Sequence, residues 1–314
     1  MTDVLDQISR VLSQYRFRFK TVSITHLAEL QDAVGKLVRQ GLISEQLYKG
    51  WHFYLSTNEN LPEAETIIIV AMPQPIMRLQ FKWQGNTYPA EVAPDYINEE
   101  DESCAEDNLN TVLSQRGYKI ARAHLALKTL AVRSGLAEYG RNNISYIPEL
   151  GSFYRLIAFY TDYPCEEDNW HDIKLMKICE DCSLCIENCP TGSISSDRFL
   201  IHAEKCLGSL NEREPDFPYW VQLQPDWLNA FVGCISCQSI CPANKPFLSN
   251  ILEGDSFSEE ETCEILNSTP LEDLSAETRR KLEKFGIGRY PLLASNLSAL
   301  IEKQIVAKQR QVGL

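Results

Sequence analysis

The sequence predicts an α+β protein in three consecutive parts. These are an α/β domain over residues 1–170, a small cysteine-rich module over 171–250 and a helical tail over 251–314. Three observations carry this prediction. Eight cysteines crowd between Cys179 and Cys241; helical periods and short β-branched runs alternate ahead of them; and capped helical patterns follow Pro242.

The elements follow in order. Val4, Leu5, Ile8, Val11 and Leu12 repeat with a helical period within Met1–Tyr15. A second helix spans His26–Gln40, with Leu27, Leu30, Val34 and Leu37 on one side and Gly41 placed to stop it. Thr66–Met72 is a β-branched run closed by Pro73 and Pro75, the pattern of a buried strand. Phe81–Val92 reads as a hairpin around Gly85-Asn86. Glu99–Asp107 is acidic and reads as an exposed loop or helix start, and Leu109–Ser134 as a long helical stretch with a break at Gly117. Asn143–Ile147 and Phe153–Thr161 read as two strands joined by a turn at 148–151. Beyond the cysteines, Ser258-Glu-Glu-Glu261 is a capping box ahead of Cys263–Leu266. Ser275 caps a helix over Ala276–Phe285 that Gly286 ends, and Asn296–Gln311 is a last helix.

The cysteines read Cys-x2-Cys-x2-Cys-x3-Cys-Pro over 179–190, then Cys206, then Cys-x2-Cys-x3-Cys-Pro over 234–242. The first run has the spacing of bacterial proteins that hold a pair of [4Fe–4S] clusters, in which the fourth cysteine serves the other cluster. The count closes. Cys179, Cys182, Cys185 and Cys241 hold one cluster, and Cys189, Cys206, Cys234 and Cys237 hold the second, giving a bacterial-ferredoxin-like double-cluster module. Two zinc sites and a disulfide framework compete with this reading. Zinc, however, takes paired knuckles rather than three cysteines in one run followed by Cys-Pro. Disulfide frameworks suit short secreted chains, and no secretory segment is read at the N-terminus. Cys104, Cys165 and Cys263 fall outside the count and read as buried core fillers.

Composition bounds the function. Hydrophobic residues make up 44% of the chain, which is ordinary for a globular protein. No run is long and apolar enough for a membrane helix, so a cytoplasmic protein with no membrane partner is expected. The formal charge is −13, from 43 acidic and 30 basic residues, which makes nucleic acid an unlikely partner. One basic stretch runs from Arg116 to Arg141 through Lys119, Arg122, Lys128 and Arg133, and reads as a solvated helix face. The five histidines form no ligand motif, and no phosphate-binding glycine loop or nucleophile elbow is found. The corrinoid lower-ligand pattern Asp-x-His-x-x-Gly is absent as well.

An electron carrier alone does not need so long a segment ahead of its clusters, which points to a second site. The most distinctive candidate is Arg133–Ser152. Gly135 and Gly140 would let backbone approach a bulky ligand, and Arg141, Asn142 and Asn143 could hydrogen-bond amides or a phosphate. Helix capping and a tight turn explain the same residues equally well.

Ser134–Ser152, the strand Phe153–Thr161 with Asp162-Tyr-Pro164, and the cluster pattern with Gly233-Cys-Ile-Ser-Cys-Gln238 resemble the epoxyqueuosine reductases. More distantly they resemble the reductive dehalogenases. The resemblance covers roughly residues 60–245. It implies an α/β sandwich-like domain that binds a base-off cobalamin, joined to the double [4Fe–4S] module. Gly140-Arg-Asn-Asn143 takes the place of a Gly-Lys-Asn-Thr-like turn beside the corrinoid. The cofactor-binding residues so implied are Gly135, Gly140, Arg141, Asn142, Asn143, Gly151 and Ser152. The family's Arg-Asp-Tyr-His-like segment, whose aspartate is the supposed proton donor, is not found here. Asp95 and Tyr96, from Ala93-Pro-Asp-Tyr96, and Tyr139 stand in as candidate catalytic acids. The long C-terminal repeat domain of many family members is also not found.

The expected chemistry follows from this resemblance. A ferredoxin or flavodoxin donor reduces one cluster, electrons pass to the second and then to cobalamin, and a small organic substrate is reduced. The alternatives are a ferredoxin-type electron carrier without a corrinoid, and a reductive activator of a separate corrinoid protein.

Overall fold

The computed structural model describes residues 3–43, 58–94, 99–211, 224–283 and 292–312. Its strands are β1 (Arg18–Ser23), β2 (Thr66–Pro73), β3 (Ile76–Trp83), β4 (Asn86–Val92), β5 (Ile120–Ala123), β6 (Glu138–Tyr139), β7 (Ser145–Tyr146), β8 (Tyr154–Thr161) and β9 (Ile251–Phe257). The chain divides into two compact units. One is made of Met1–Pro73 and Glu99–Cys182, the other of Gln74–Asn98 and Ser183–Leu314. This differs from the three consecutive segments expected: the β3–β4 hairpin leaves the first domain, and the cysteine segment after Cys182 shares a unit with the helical tail.

The first unit is a sandwich of helices on both faces of an antiparallel sheet, in the order β1-β2-β8-β5. The central strand β2 explains its own sequence. Ile68, Val70 and Met72 face a core with Leu5, Ile8 and Leu12 of helix Val4–Ser13 and Leu109 and Leu113 of helix Glu99–Ser114. Ile67, Ile69 and Ala71 face a second core with Leu27 and Leu30 of helix Leu27–Arg39 and Leu130 and Ala131 of helix Leu127–Arg133. A strand covered on both faces reads as a continuous apolar run rather than an alternation. Each of its fully buried large aliphatics contributes about 1.5–3 kcal/mol. The long helical stretch expected over Leu109–Ser134 is corrected here: the helix ends at Ser114, Gly117 turns the chain at φ +84°, and β5 follows. Pairing with β8 makes Ile120–Ala123 a strand, and local pattern does not reveal a partner so far along the chain. β7 likewise pairs with β6 and not with β8.

In the second unit a three-stranded sheet runs β4-β3-β9. Gln84 and Gly85 both have positive φ, +50° and +71°, as a two-residue hairpin turn of mirror-image type requires. Pro89 is accommodated because β4 is an edge strand. β9, which pairs parallel to β3, corrects the expectation of a purely helical tail. Phe81, Phe231 and Phe257 centre the core, closed by Ile265, Leu282 and Leu297. Helix Glu259–Leu266 starts in the expected capping box, with Ser258 and Glu261 bonding reciprocally. The described part of the expected Ser275 helix, Ala276–Glu283, is formed; Gly286 lies outside the described residues. Lys281 bonds both Glu261 oxygens at 2.8 Å in a nearly buried pair. Among the described residues, no helix is long and apolar enough to cross a membrane.

Candidate metal centre

None of the eleven cysteines is in a disulfide. Of the first expected cluster set, Cys179 and Cys182 end the first unit, whereas Cys185 and Cys241 belong to the second. Cys179 closes a 3₁₀ turn, Lys177–Cys179, and is buried; the other seven ligand candidates are partly exposed. Cys185 and Cys237 sit in two matching helical turns, Leu184–Glu187 and Ser236–Ser239. Asn188 Nδ2 joins these turns by donating to the Ser236 carbonyl at 2.7 Å. Gly233, at φ +76°, swings the chain into Cys234.

The second expected set lies wholly in the second unit. Burial pushes the Cys206 thiol up, the nearby thiols of Cys234 and Cys189 push it further, and the amides of Ser209 and Gly208 pull it back. Cys206 therefore lies in the field of two of the other thiols assigned to its cluster, with amide donors aimed at its sulfur. Asn229 completes the wall. Its Nδ2 donates to Cys234 Sγ at 3.3 Å, to Ser236 Oγ at 2.8 Å and to the Trp227 carbonyl at 2.9 Å, and its Oδ1 accepts from Ile235 N at 2.9 Å. Soft thiol ligands with hydrogen bonds to sulfur suit an iron–sulfur cube, whose potential such bonds tune. Asn229 was not among the sequence candidates; its place five residues before Cys234 carries no recognised motif.

The segment Gly135–Ser152, in the first unit, forms a small β6–β7 hairpin. Its turn is closed by Gly140 N donating to Ile144 O at 2.7 Å and Asn143 N donating to Gly140 O at 3.0 Å. Asn143 takes φ +58°, and its carbonyl accepts from Lys128 Nζ at 3.1 Å. Asn142 is buried; its Nδ2 donates to Tyr146 Oη at 2.9 Å and its Oδ1 accepts from Ile144 N. Gly151, at φ +60°, exchanges two backbone bonds with Ile147, and Ser152 is buried. The two glycines expected to leave space for a ligand are faced by the chain's own rings. A β-carbon on Gly135 would lie 3.1 Å from the His171 ring, and one on Gly140 would lie 2.5 Å from Tyr146 Cε2. Arg141 reaches the cysteine loop: Nε donates to Cys182 O at 3.0 Å, and Nη2 donates to the carbonyls of Cys179 and, at 3.4 Å, Glu180. The guanidinium of Arg141 is thus engaged by the cysteine loop, and the side-chain amide of Asn142 by the hairpin. Both turn to the chain's own groups, and the rings of His171 and Tyr146 take the space beside Gly135 and Gly140.

Tyr139 is buried in the core under helix Leu127–Arg133, with its hydroxyl 3.1 Å from Thr129 Oγ1. Burial raises its phenol above the ordinary range, which the Thr129 bond partly offsets. Asp95 and Tyr96 lie outside the described residues. The basic stretch is internally engaged. Lys119 pairs with Glu63 at 2.7 Å, Arg122 pairs with Glu102, and Arg133 pairs with Glu29 and lies over the Trp170 ring. Lys128 and Arg141 hold the carbonyls already named. The stretch is therefore not one solvated helix face. Cys104, Cys165 and Cys263 are partly exposed rather than buried.

Residues 178–244 match the family described as a 4Fe-4S double cluster binding domain. The chain is 30% identical over 121 residues to epoxyqueuosine reductase of Staphylococcus aureus, a stretch that is 38% of this chain and 30% of that protein. It is 30% identical over 142 residues to the enzyme of Atelocyanobacterium thalassa, 43% of this chain and 44% of that one. The matched stretches thus span less than half of these curated relatives. In fold the likeness extends further. The structure of epoxyqueuosine reductase from Streptococcus thermophilus superposes with a TM-score of 0.66 over 96% of this chain and 81% of that one, at 18% identity. An epoxyqueuosine reductase solved with an epoxyqueuosine-modified tRNA-Tyr stem loop gives 0.61 over 95% and 82%, at 19% identity. In sequence over part of its length and in fold over nearly all of it, the chain resembles the epoxyqueuosine reductase family, and it carries a double [4Fe–4S] cluster domain.

Proposed function

We propose that this chain is an iron–sulfur oxidoreductase whose two [4Fe–4S] clusters deliver low-potential electrons, one at a time, to a modified base carried on a tRNA stem loop. The observation that carries the reading is the double-cluster domain at 178–244 inside a chain whose fold follows epoxyqueuosine reductase over nearly its whole length. The small organic substrate expected from sequence gives way to a base on tRNA, because a structural neighbour was solved with such a stem loop. The expectation that nucleic acid is unlikely, drawn from the net charge of −13, gives way with it. Acidic chains can still bind RNA through a local site, since the positive field needed is local.

In this reading the protein supplies three things: thiolates for the clusters, a hydrogen bond to the Cys234 sulfur, and a donor-docking face for a ferredoxin or flavodoxin. Cobalamin, implied by the sequence resemblance, would when bound supply the metal-centred reduction chemistry. Asp95, Tyr96 and Tyr139 remain the proposed acids; Tyr139 is buried, with its hydroxyl bonded to Thr129. A second reading, a carrier that hands electrons to a partner without a corrinoid, is favoured by the inward-turned polar groups of the Gly140–Asn143 turn.

The test is anaerobic reconstitution with iron and sulfide, reduction of both clusters with dithionite, addition of cobalamin, and single turnover on an epoxyqueuosine-bearing tRNA stem loop, in which two electrons and two protons carry the epoxide oxygen off as water. Two clusters with loss of the epoxide oxygen support the first reading. Two clusters, no retained cobalamin and an unchanged stem loop support the carrier.

A further inference from the structure

The Gly140–Asn143 turn has a use that its expected role does not cover. We infer that Arg141 is the positioning residue of the Cys179–Cys182 loop, and that its charge sets the midpoint potential of the cluster those two thiolates serve. The inference rests on the two-cluster reading above.

Three observations within the first unit support it. The guanidinium spans the loop, donating to the carbonyls of Cys179, Glu180 and Cys182. Both expected thiolate-bearing residues are thus held by one side chain from about forty residues upstream. The loop's approach is fixed by the same hairpin: Tyr139 N donates to Lys174 O at 3.3 Å and Met176 N donates to Tyr139 O at 2.8 Å. Arg141 itself is anchored by a turn with two internal backbone bonds and a buried Asn142. The turn therefore cannot easily move away and leave the loop behind.

The chemistry of the side chain matters. Arginine presents five donors on a rigid plane and keeps its charge at any working pH, so it can satisfy several carbonyls at once. A loop with two thiolates and an anionic cluster gathers negative charge. Each electron added makes it more negative, and a fixed cation beside it favours the reduced state. Lysine keeps the charge but is a single point donor with no fork.

The test uses the full chain with both clusters reconstituted, comparing wild type with Arg141→Gln and Arg141→Lys. Iron per chain is measured, and the two clusters are titrated by electron paramagnetic resonance. Arg141→Gln should shift one cluster toward the oxidised form on the order of tenfold at a fixed potential, about 59 mV for a one-electron couple, leaving the other in place. Arg141→Lys should retain at least half of the wild-type potential advantage. Unchanged potentials in Arg141→Gln with full iron, or an equal shift of both clusters, overturn the inference. If Arg141→Gln loses iron, Arg141→Lys decides: full iron near the wild-type potential supports the inference, and loss of the same cluster reduces Arg141 to a structural strut and overturns the electrostatic role. A wild-type chain that does not assemble two clusters overturns the reading beneath the inference, whatever the variants do.

Discussion

A β-carbon added to Gly140 would lie 2.5 Å from Cε2 of Tyr146 and 2.7 Å from the Oδ1 of Asn142. The glycine is needed for the close approach of Tyr146, whose hydroxyl accepts from Asn142 Nδ2. Gly140→Ala should therefore force the ring aside and destabilise the folded chain by about 1–3 kcal/mol, the usual cost of overpacking a tight site. Thermal unfolding of the apoprotein measures this directly. A variant as stable as wild type would mean that the turn has room to open, and the ligand-facing role first read for Gly140 would regain its footing.

Much of this architecture is legible in the sequence where the cause is local. The spacing of Cys179, Cys182 and Cys185 is visible because one short loop must bring several thiolates to one cluster. β2 is visible because burial on both faces removes polar residues, and the capping box at Ser258 because its two bonds span three residues. Elements made by distant partners are not legible. Ile120–Ala123 becomes a strand only because β8 offers an edge, and Ile251–Phe257 because β3 lies alongside. Side-chain destinations were hidden for the same reason. Arg141 and the two asparagines read equally well as ligands or as turn residues, and only the position of the Cys179–Cys182 loop shows where the guanidinium goes. Asn229 gave no sequence signal, since one amide five residues from a cysteine fits any loop.

Acid should weaken the first unit partly through Asp168. Burial alone would raise this carboxyl, but the Ser23 amide, donating at 2.9 Å, and His26 at 3.0 Å outweigh it, so it lies below the ordinary carboxylate range. His26 is itself held flat against Trp170, with ring centroids 4.2 Å apart. The sign follows from linkage. A folded-state value below the unfolded one gives stability that is present above the unfolded value, about 3.9, and is lost as pH falls through the folded value. Asp168→Asn should therefore be less stable than wild type near neutral pH and converge with it in strong acid. Urea titrations across that range test this. A constant gap at every pH would assign the loss to packing instead.

Cys189 tests the pairing of thiols. It is followed by Pro190, and its charge is felt at Cys206 together with that of Cys234. Cys189→Ser should cost the cluster shared with Cys206, Cys234 and Cys237, and lower iron content by about half. Cys182→Ser should remove the other cluster. If both variants bleached the same spectroscopic signal, the crossed assignment would be wrong, and each cluster would draw its ligands from one contiguous run.

Asn229 should control the second cluster as Arg141 controls the first. Its amide bonds both a ligand sulfur, Cys234 Sγ, and the loop that carries it, through Ile235 N and Ser236 Oγ. Asn229→Ala removes all of these and leaves the Ile235 amide without its acceptor, so iron should leave that cluster about 10–100-fold more readily, the usual effect of losing an outer partner of a metal ligand. Asn229→Asp keeps the acceptor for Ile235 but places negative charge beside the thiolate, so the cluster should persist at a lower potential. Iron release to a chelator and an anaerobic redox titration read the two effects separately. The informative comparison is with Arg141→Gln. Because Cys234 and the Cys179–Cys182 loop are assigned to different clusters, the two substitutions should each move one signal, and not the same one. A common signal moved by both would mean that the thiols of the two runs meet at a single cluster.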